Sequence, residues 1–132
     1  MTRFQMACLA SVLGLSPAMA QQIDCANTRV QVEMTACAQR DWQLADVDLN
    51  EAYRAAKLAM KEVDANMVEV KRGAFLSLRA AERAWISYRD AVCLSESFAL
   101  QGGSGALMAI YACRARITQV RTADLWALAH SR

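Results

Sequence analysis

Trp85-Ile86-Ser87-Tyr88-Arg89-Asp90-Ala91-Val92-Cys93 is the stretch whose reading decides the fold. On an α-helix, with about 100° between successive residues, Trp85, Tyr88, Arg89, Val92 and Cys93 fall on one side. Ser87 and Asp90 fall on the other. An apolar face thus carries a guanidinium within it and ends in a cysteine. The arginine calls for an acid, because charge is costly in a partly dry interface. The cysteine calls for a second thiol.

Working outward, the spacing predicts a helix from about Met67 to Leu94, with Val68, Phe75, Leu78, Ala81, Trp85, Tyr88 and Val92 as its core face. Gly73 inside it would cost about 1 kcal/mol relative to Ala. Upstream, no Pro or Gly interrupts the chain from Asn27 or Thr28, both good N-cap types, to about Val63. Good helix formers dominate there. Trp42, Ala45, Leu49, Tyr53, Ala56 and Met60 step by three or four onto one apolar face. Glu51, Arg54, Lys57 and Lys61 form the solvated side. Asp64-Ala65-Asn66 is the expected break, with Asn66 and Glu69 arranged as a cap for the next helix. Gln101-Gly102-Gly103-Ser104-Gly105 reads as a loop, with Ser104 as the expected cap of a third helix from about Ala106 to Ala129. Leu107, Ile110, Cys113, Ile117 and Leu128 mark its inward side, Trp126 a margin, and His130 a solvated end. No strand pattern, repeat or low-complexity tract is present. The fold class is therefore all-α: two long antiparallel helices with a third packed on them. A helix of some 30 residues would be about 45 Å long.

Residues 1–20 read as a cleaved signal peptide rather than part of the fold. Arg3 gives a positive start, Met6 to Leu15 an apolar run too short to span a bilayer, and Ala18-Met19-Ala20 a small-x-small cleavage site. The mature domain would be residues 21–132, periplasmic or secreted, with no membrane span. Cleavage removes Arg3 and Cys8. The 15 basic side chains fall by one against 13 acidic ones, and the net charge of +2 falls to +1. That balance gives no reason to expect nucleic acid or an anionic membrane as partner.

Four cysteines remain: Cys25, Cys37, Cys93 and Cys113. In a small exported chain an even count reads as two disulfides. They stand a dozen or more residues apart, unlike the close pairs of a zinc site, so no metal is expected. Three pairings are open. Cys25–Cys37 with Cys93–Cys113 is favoured, since each joins neighbours across a chain reversal. Each closure should stabilise by about 3 kcal/mol.

A hairpin turning at residues 64–66 sets position 46 about one helical turn from position 89. A bidentate Asp46–Arg89 pair follows, with Asn50 and Glu82 satisfying the remaining groups. Asp46, Asn50, Glu82 and Arg89 then read as a structural polar lock that fixes helix register, with a binding or catalytic cluster as the alternative. Trp42, Leu49, Tyr53, Trp85 and Tyr88 are read as core. Catalytic chemistry is poorly supplied. The one histidine stands near the C-terminus, Ser87 and Ser104 have no activating partner, and disulfides leave no free thiol. Asp46 and Glu82 as a glycosidase pair would both be held ionised by Arg89, which suits no general acid. The chain is not expected to be an enzyme, and no cofactor is expected. The glycine run has no following Lys and no preceding strand, unlike a nucleotide loop.

Cys25 and Cys37, Ala45-Asp46 with Leu49-Asn50 and Tyr53, Ala84-Trp85-Ile86 with Tyr88-Arg89-Asp90 and Cys93, Gly103-Ser104 and Cys113, and Thr118 with Arg121 and Leu125 together resemble the LprI-type lysozyme-inhibitor domain. These small exported bacterial domains were long catalogued as a domain of unknown function. Glu82 departs from the Gln frequent in the family. The resemblance implies a helical, disulfide-stabilised domain outside the cytoplasm, and inhibition of lysozyme by protein–protein binding. An inhibitor needs a protruding group or a complementary patch. The Ser95–Gly105 loop, with Glu96, Phe98, Gln101 and Ser104, is the candidate. An envelope interaction module with another partner is the alternative, and the long apolar face leaves a helical homodimer open.

Overall fold

The computed structural model describes residues 23–131. The expected signal peptide lies outside them. Three helices make up the fold: α1 (Gln31–Ala65), α2 (Ala74–Ser97) and α3 (Ala106–His130). Single 3-10 turns, Glu69–Lys71 and Phe98–Leu100, punctuate the two connections. At 35 residues α1 is about 52 Å long. No helix among the described residues is long and apolar enough to cross a membrane.

Trp42 stacks on Tyr111 at one end of the bundle, with ring centroids 5.7 Å apart. At the other end, Met60 and Ser131 line one cleft. So α1 and α3 run parallel, and α2 is antiparallel to both. The largest interface is between α1 and α3, not between the hairpin neighbours α1 and α2. The cause is compositional. Four of the six buried positions along α1 are alanines, Ala45, Ala52, Ala56 and Ala59, and their small side chains let α3 approach closely. Leu49, Ala52, Ala56, Leu78, Leu125 and Ala129 form the core cluster, flanked by Tyr53, Met60, Trp85 and Trp126.

Cys25–Cys37 and Cys93–Cys113 are the two disulfides, the favoured pairing. Cα separations of 5.7 and 5.4 Å suit unforced bridges. Both sit at the end of the bundle that holds the N-termini of α1 and α3.

Several local expectations are corrected. α1 starts at Gln31, later than Asn27 or Thr28, and Val30 at its N-cap provides no side-chain bond. Thr28 acts just before the helix instead: its hydroxyl accepts from the Val30 N–H and donates to Glu33. α2 starts at Ala74, seven residues after the expected Met67, and runs on to Ser97. Asn66 does not cap it, because its amide donates back to the Glu62 carbonyl. The cap is Asp64. Its carboxylate accepts the backbone N–H groups of Gly73 and Ala74 at 2.8 Å and of Phe75 at 3.0 Å. Those three bonds, Gly73's first, with Arg72 adding charge, hold the Asp64 carboxyl below the ordinary value near 3.8. Gly73 is therefore not inside the helix. It occupies the N-cap with φ 154°, a conformation that side chains rarely adopt. Ser104 does not cap α3 either; Gly105 stands at that position. Val68, Ala81 and Leu107, expected inward, are exposed.

Candidate functional site

The charged residues on the apolar faces come together in a different arrangement from the one expected. Arg89 is buried at 7% exposure. Its Nη1 lies 3.7 Å from Asp46 Oδ1, a single long ion pair rather than a bidentate one. Its Nε donates to Asp90 Oδ1 at 3.0 Å. The guanidinium also stands 5.6 Å from the Trp42 ring centre and 5.2 Å from that of Trp85. Arg114 takes a further place against Trp42, at 4.8 Å. Its Nε is 3.1 Å from the same Asp90 oxygen, close enough for an ion pair but misaligned for a hydrogen bond. Two cations thus share one carboxylate and one indole, an arrangement that replaces water with π-faces.

Asn50 does support Asp46. Its amide donates to the Asp46 carbonyl at 2.7 Å and to Oδ2 at 3.2 Å. Glu82 does not reach Arg89. It belongs to the α2–α3 seam, where Arg121 donates from Nε to Oε1 at 2.6 Å and its Nη2 stands 2.5 Å from the same oxygen as an ion pair. The helical wheel of α2 could not separate these outcomes, because Glu82 borders both neighbours.

The core motif needs one correction. Leu49 is buried, Tyr53 and Trp85 are half-buried against the core, and Trp42 is half-buried against Tyr111, Arg89 and Arg114 instead. Tyr88 is 60% exposed. It lines an open groove between α2 and α3, with Ile117 and Val120 on the facing wall.

The candidate loop is partly helical. α2 continues through Ser95 and Glu96 to Ser97, and the turn Phe98–Leu100 follows. Ser97 is buried, with its hydroxyl donating to the Leu94 carbonyl at 2.7 Å. Glu96 is not free to reach a partner: Arg116 Nη2 holds its two oxygens at 2.8 and 3.0 Å. Gln101 and Ser104 are exposed, and Gly102 makes the turn with φ 85°. Phe98 is 57% and Leu100 45% exposed. Val32 and Leu107, which flank one shallow groove with Gln31, Thr35 and Ser104, expose further apolar surface at the same end. Two disulfides therefore brace an apolar tip.

Among the described residues no group of three or more His, Cys, Asp or Glu side chains could hold a metal ion. His130 Nδ1 meets the Trp126 carbonyl at 2.7 Å, and its ring stacks on the Trp126 indole. Sequence reasoning missed Asp64, Asp90 and Arg114 as partners, and the Glu82–Arg121 and Glu96–Arg116 pairs. Asp90 and Arg121 carried a motif signal; the pairings became visible only once the helices were placed side by side.

A family model described as Lysozyme inhibitor LprI matches residues 24–125. The chain belongs to the LprI family. An uncharacterised protein of Rhizobium meliloti is 38% identical over 121 residues, covering 88% of this LprI-family chain and 87% of its own length. No solved structure matches. The two disulfides and the LprI membership fit a protein that works outside the cytoplasm.

Proposed function

We propose that this chain is exported through a leader over residues 1–20 and inhibits lysozyme by docking its disulfide-braced tip onto the enzyme. The LprI match over residues 24–125 carries the choice of partner. The choice of surface rests on the tip itself. Phe98 and Leu100 are apolar and exposed on one 3-10 turn, which is anchored by Cys93–Cys113, by buried Ser97 and by the Glu96–Arg116 pair. Anchoring of this kind removes ordering cost before binding, so a small apolar contact gains affinity. Gln101 and Ser104 supply a polar rim. Glu96 acts within the chain as a brace. The function is binding, with no catalytic step.

One observation favours a second reading. A net charge near zero gives no long-range attraction toward a basic lysozyme. An envelope interaction module with another protein partner accounts for that equally well. A turbidity assay with the purified, oxidised mature chain against animal-type and goose-type lysozymes separates the two. Inhibition at micromolar protein, weakened about tenfold by Phe98→Ala, supports the first reading. Absence of inhibition of both enzymes removes it and leaves the second.

A further inference from the structure

A cleft of about 380 Å³ opens between α1 and α2, away from the braced tip. Its volume lies in the range of small-ligand pockets, about 300–1,000 Å³. One wall is the α2 stripe of Arg79, Arg83, Ile86 and Arg89; the other is the α1 stripe of Asp46, Asn50 and Tyr53. Glu82 also borders it.

The charges there are unevenly satisfied. Glu82 is held by Arg121, and Asp46 already receives Arg89 and Asn50. Arg89 in turn is buried against two indoles and Asp90. Arg79 and Arg83 are exposed, and neither has a carboxylate partner among the described residues; Arg79 meets only the Phe75 ring, at 5.7 Å. The carboxylates of the cleft are thus engaged, while two of its guanidiniums are not. They stand at positions i and i+4 on one helix face, so both line the same mouth.

We propose that this cleft binds a carboxylate-bearing small ligand, with Arg79 and Arg83 receiving the carboxylate. Guanidinium forks match carboxylate oxygens in pairs. A monoanion suits the site better than a doubly charged phosphate, because Asp46, with its side chain 44% exposed, faces the same space and repels added negative charge. Asp46 and the Asn50 carbonyl oxygen can accept from hydroxyl or amide donors on the ligand. Tyr53 and Ile86 offer an aromatic and an aliphatic surface for its body. Acidic sugars and the free C-terminus of a short peptide share this chemistry. The site is independent of the tip and of lysozyme binding.

The test is an NMR titration of the oxidised chain, with two matched pairs of probes: glucuronate against glucose, and an acetylated dipeptide acid against its amide. Saturable shifts of Asn50, Arg79 and Arg83 resonances by at least one acid, with a dissociation constant on the order of 1 mM and none from its neutral twin, are expected. Which acid binds identifies the source of the carboxylate. Arg79→Gln with Arg83→Gln should weaken binding about tenfold or more, while lysozyme inhibition by the same variant stays as it was. Both sites are exposed, so the variant should fold, as its circular dichroism will report. No saturable shift by either acid overturns the proposal. Equal binding of acid and neutral twin, equal competition by sulfate, or binding unchanged in the double variant does so too.

Discussion

Arg121 grips Glu82 across the α2–α3 seam, with both side chains largely buried at 19% and 11% exposure. The pair ties the middle of α2 to α3 from a position that its own helix leaves free to face α1. Glu82→Gln keeps the shape and one acceptor but removes the charge. We expect a loss of about 1–2 kcal/mol, read by denaturant unfolding. A double-mutant cycle with Arg121→Met should return a coupling energy of similar size. A cycle giving zero coupling would show that the contact is incidental.

Asp64 caps α2 from nine to eleven residues upstream, so it holds the helix start and the interhelical connection together. Its carboxyl is depressed below about 3.8, so its contribution is fully present above that pH and is lost as pH falls through the lower folded value. Asp64→Ala should lower Tm by several degrees at neutral pH. The gap between wild type and variant should narrow as pH falls below about 3.8. A gap independent of pH would contradict the charged cap.

Arg89→Met removes a cation from between Trp42 and Trp85 while keeping an apolar stem. Asp46 and Asp90, with side chains 44% and 41% exposed, can return to water, so the cost should be nearer about 1–2 kcal/mol than the larger loss typical of a fully buried pair. Lysozyme inhibition by the folded variant should be unchanged. Loss of inhibition in a well-folded Arg89→Met protein would move the binding surface to this region.

Replacing Cys93 and Cys113 together by Ser should cost about 3 kcal/mol. Under conditions where the variant is folded, it should also inhibit less well, because the Phe98–Leu100 turn loses its anchor. Replacing Cys25 and Cys37 should cost a similar amount of stability and leave that turn in place. Equal inhibition by both variants would argue against the turn as the docking element.

Much of the architecture was legible because it rests on local rules. The α1 and α3 patterns have no internal Pro or Gly, and their apolar residues recur every three or four positions. Their extents were anticipated to within a few residues. The start of α2 was not, because Met67, Val68 and Val70 continue an apolar helical pattern that the chain leaves exposed. An Asp64 carboxylate returning to Gly73 outcompeted the local Asn66 and Glu69 signal. Tyr88 was misplaced for a related reason: a helical wheel gives the angle of a side chain but not which neighbour covers it.

Sequence by itself determined the helical class, the four-cysteine framework and the family motifs, because periodicity, cysteine count and spacing are properties of the chain in one dimension. Tertiary structure alone decided the partners. The short alanines of α1 draw α3, rather than α2, into closest contact. That choice turns Glu82 toward Arg121 and sets Arg89 between two indoles. It also leaves Arg79 and Arg83 at an open cleft. Which charge meets which depends on the relative placement of three helices, and no single helix encodes that.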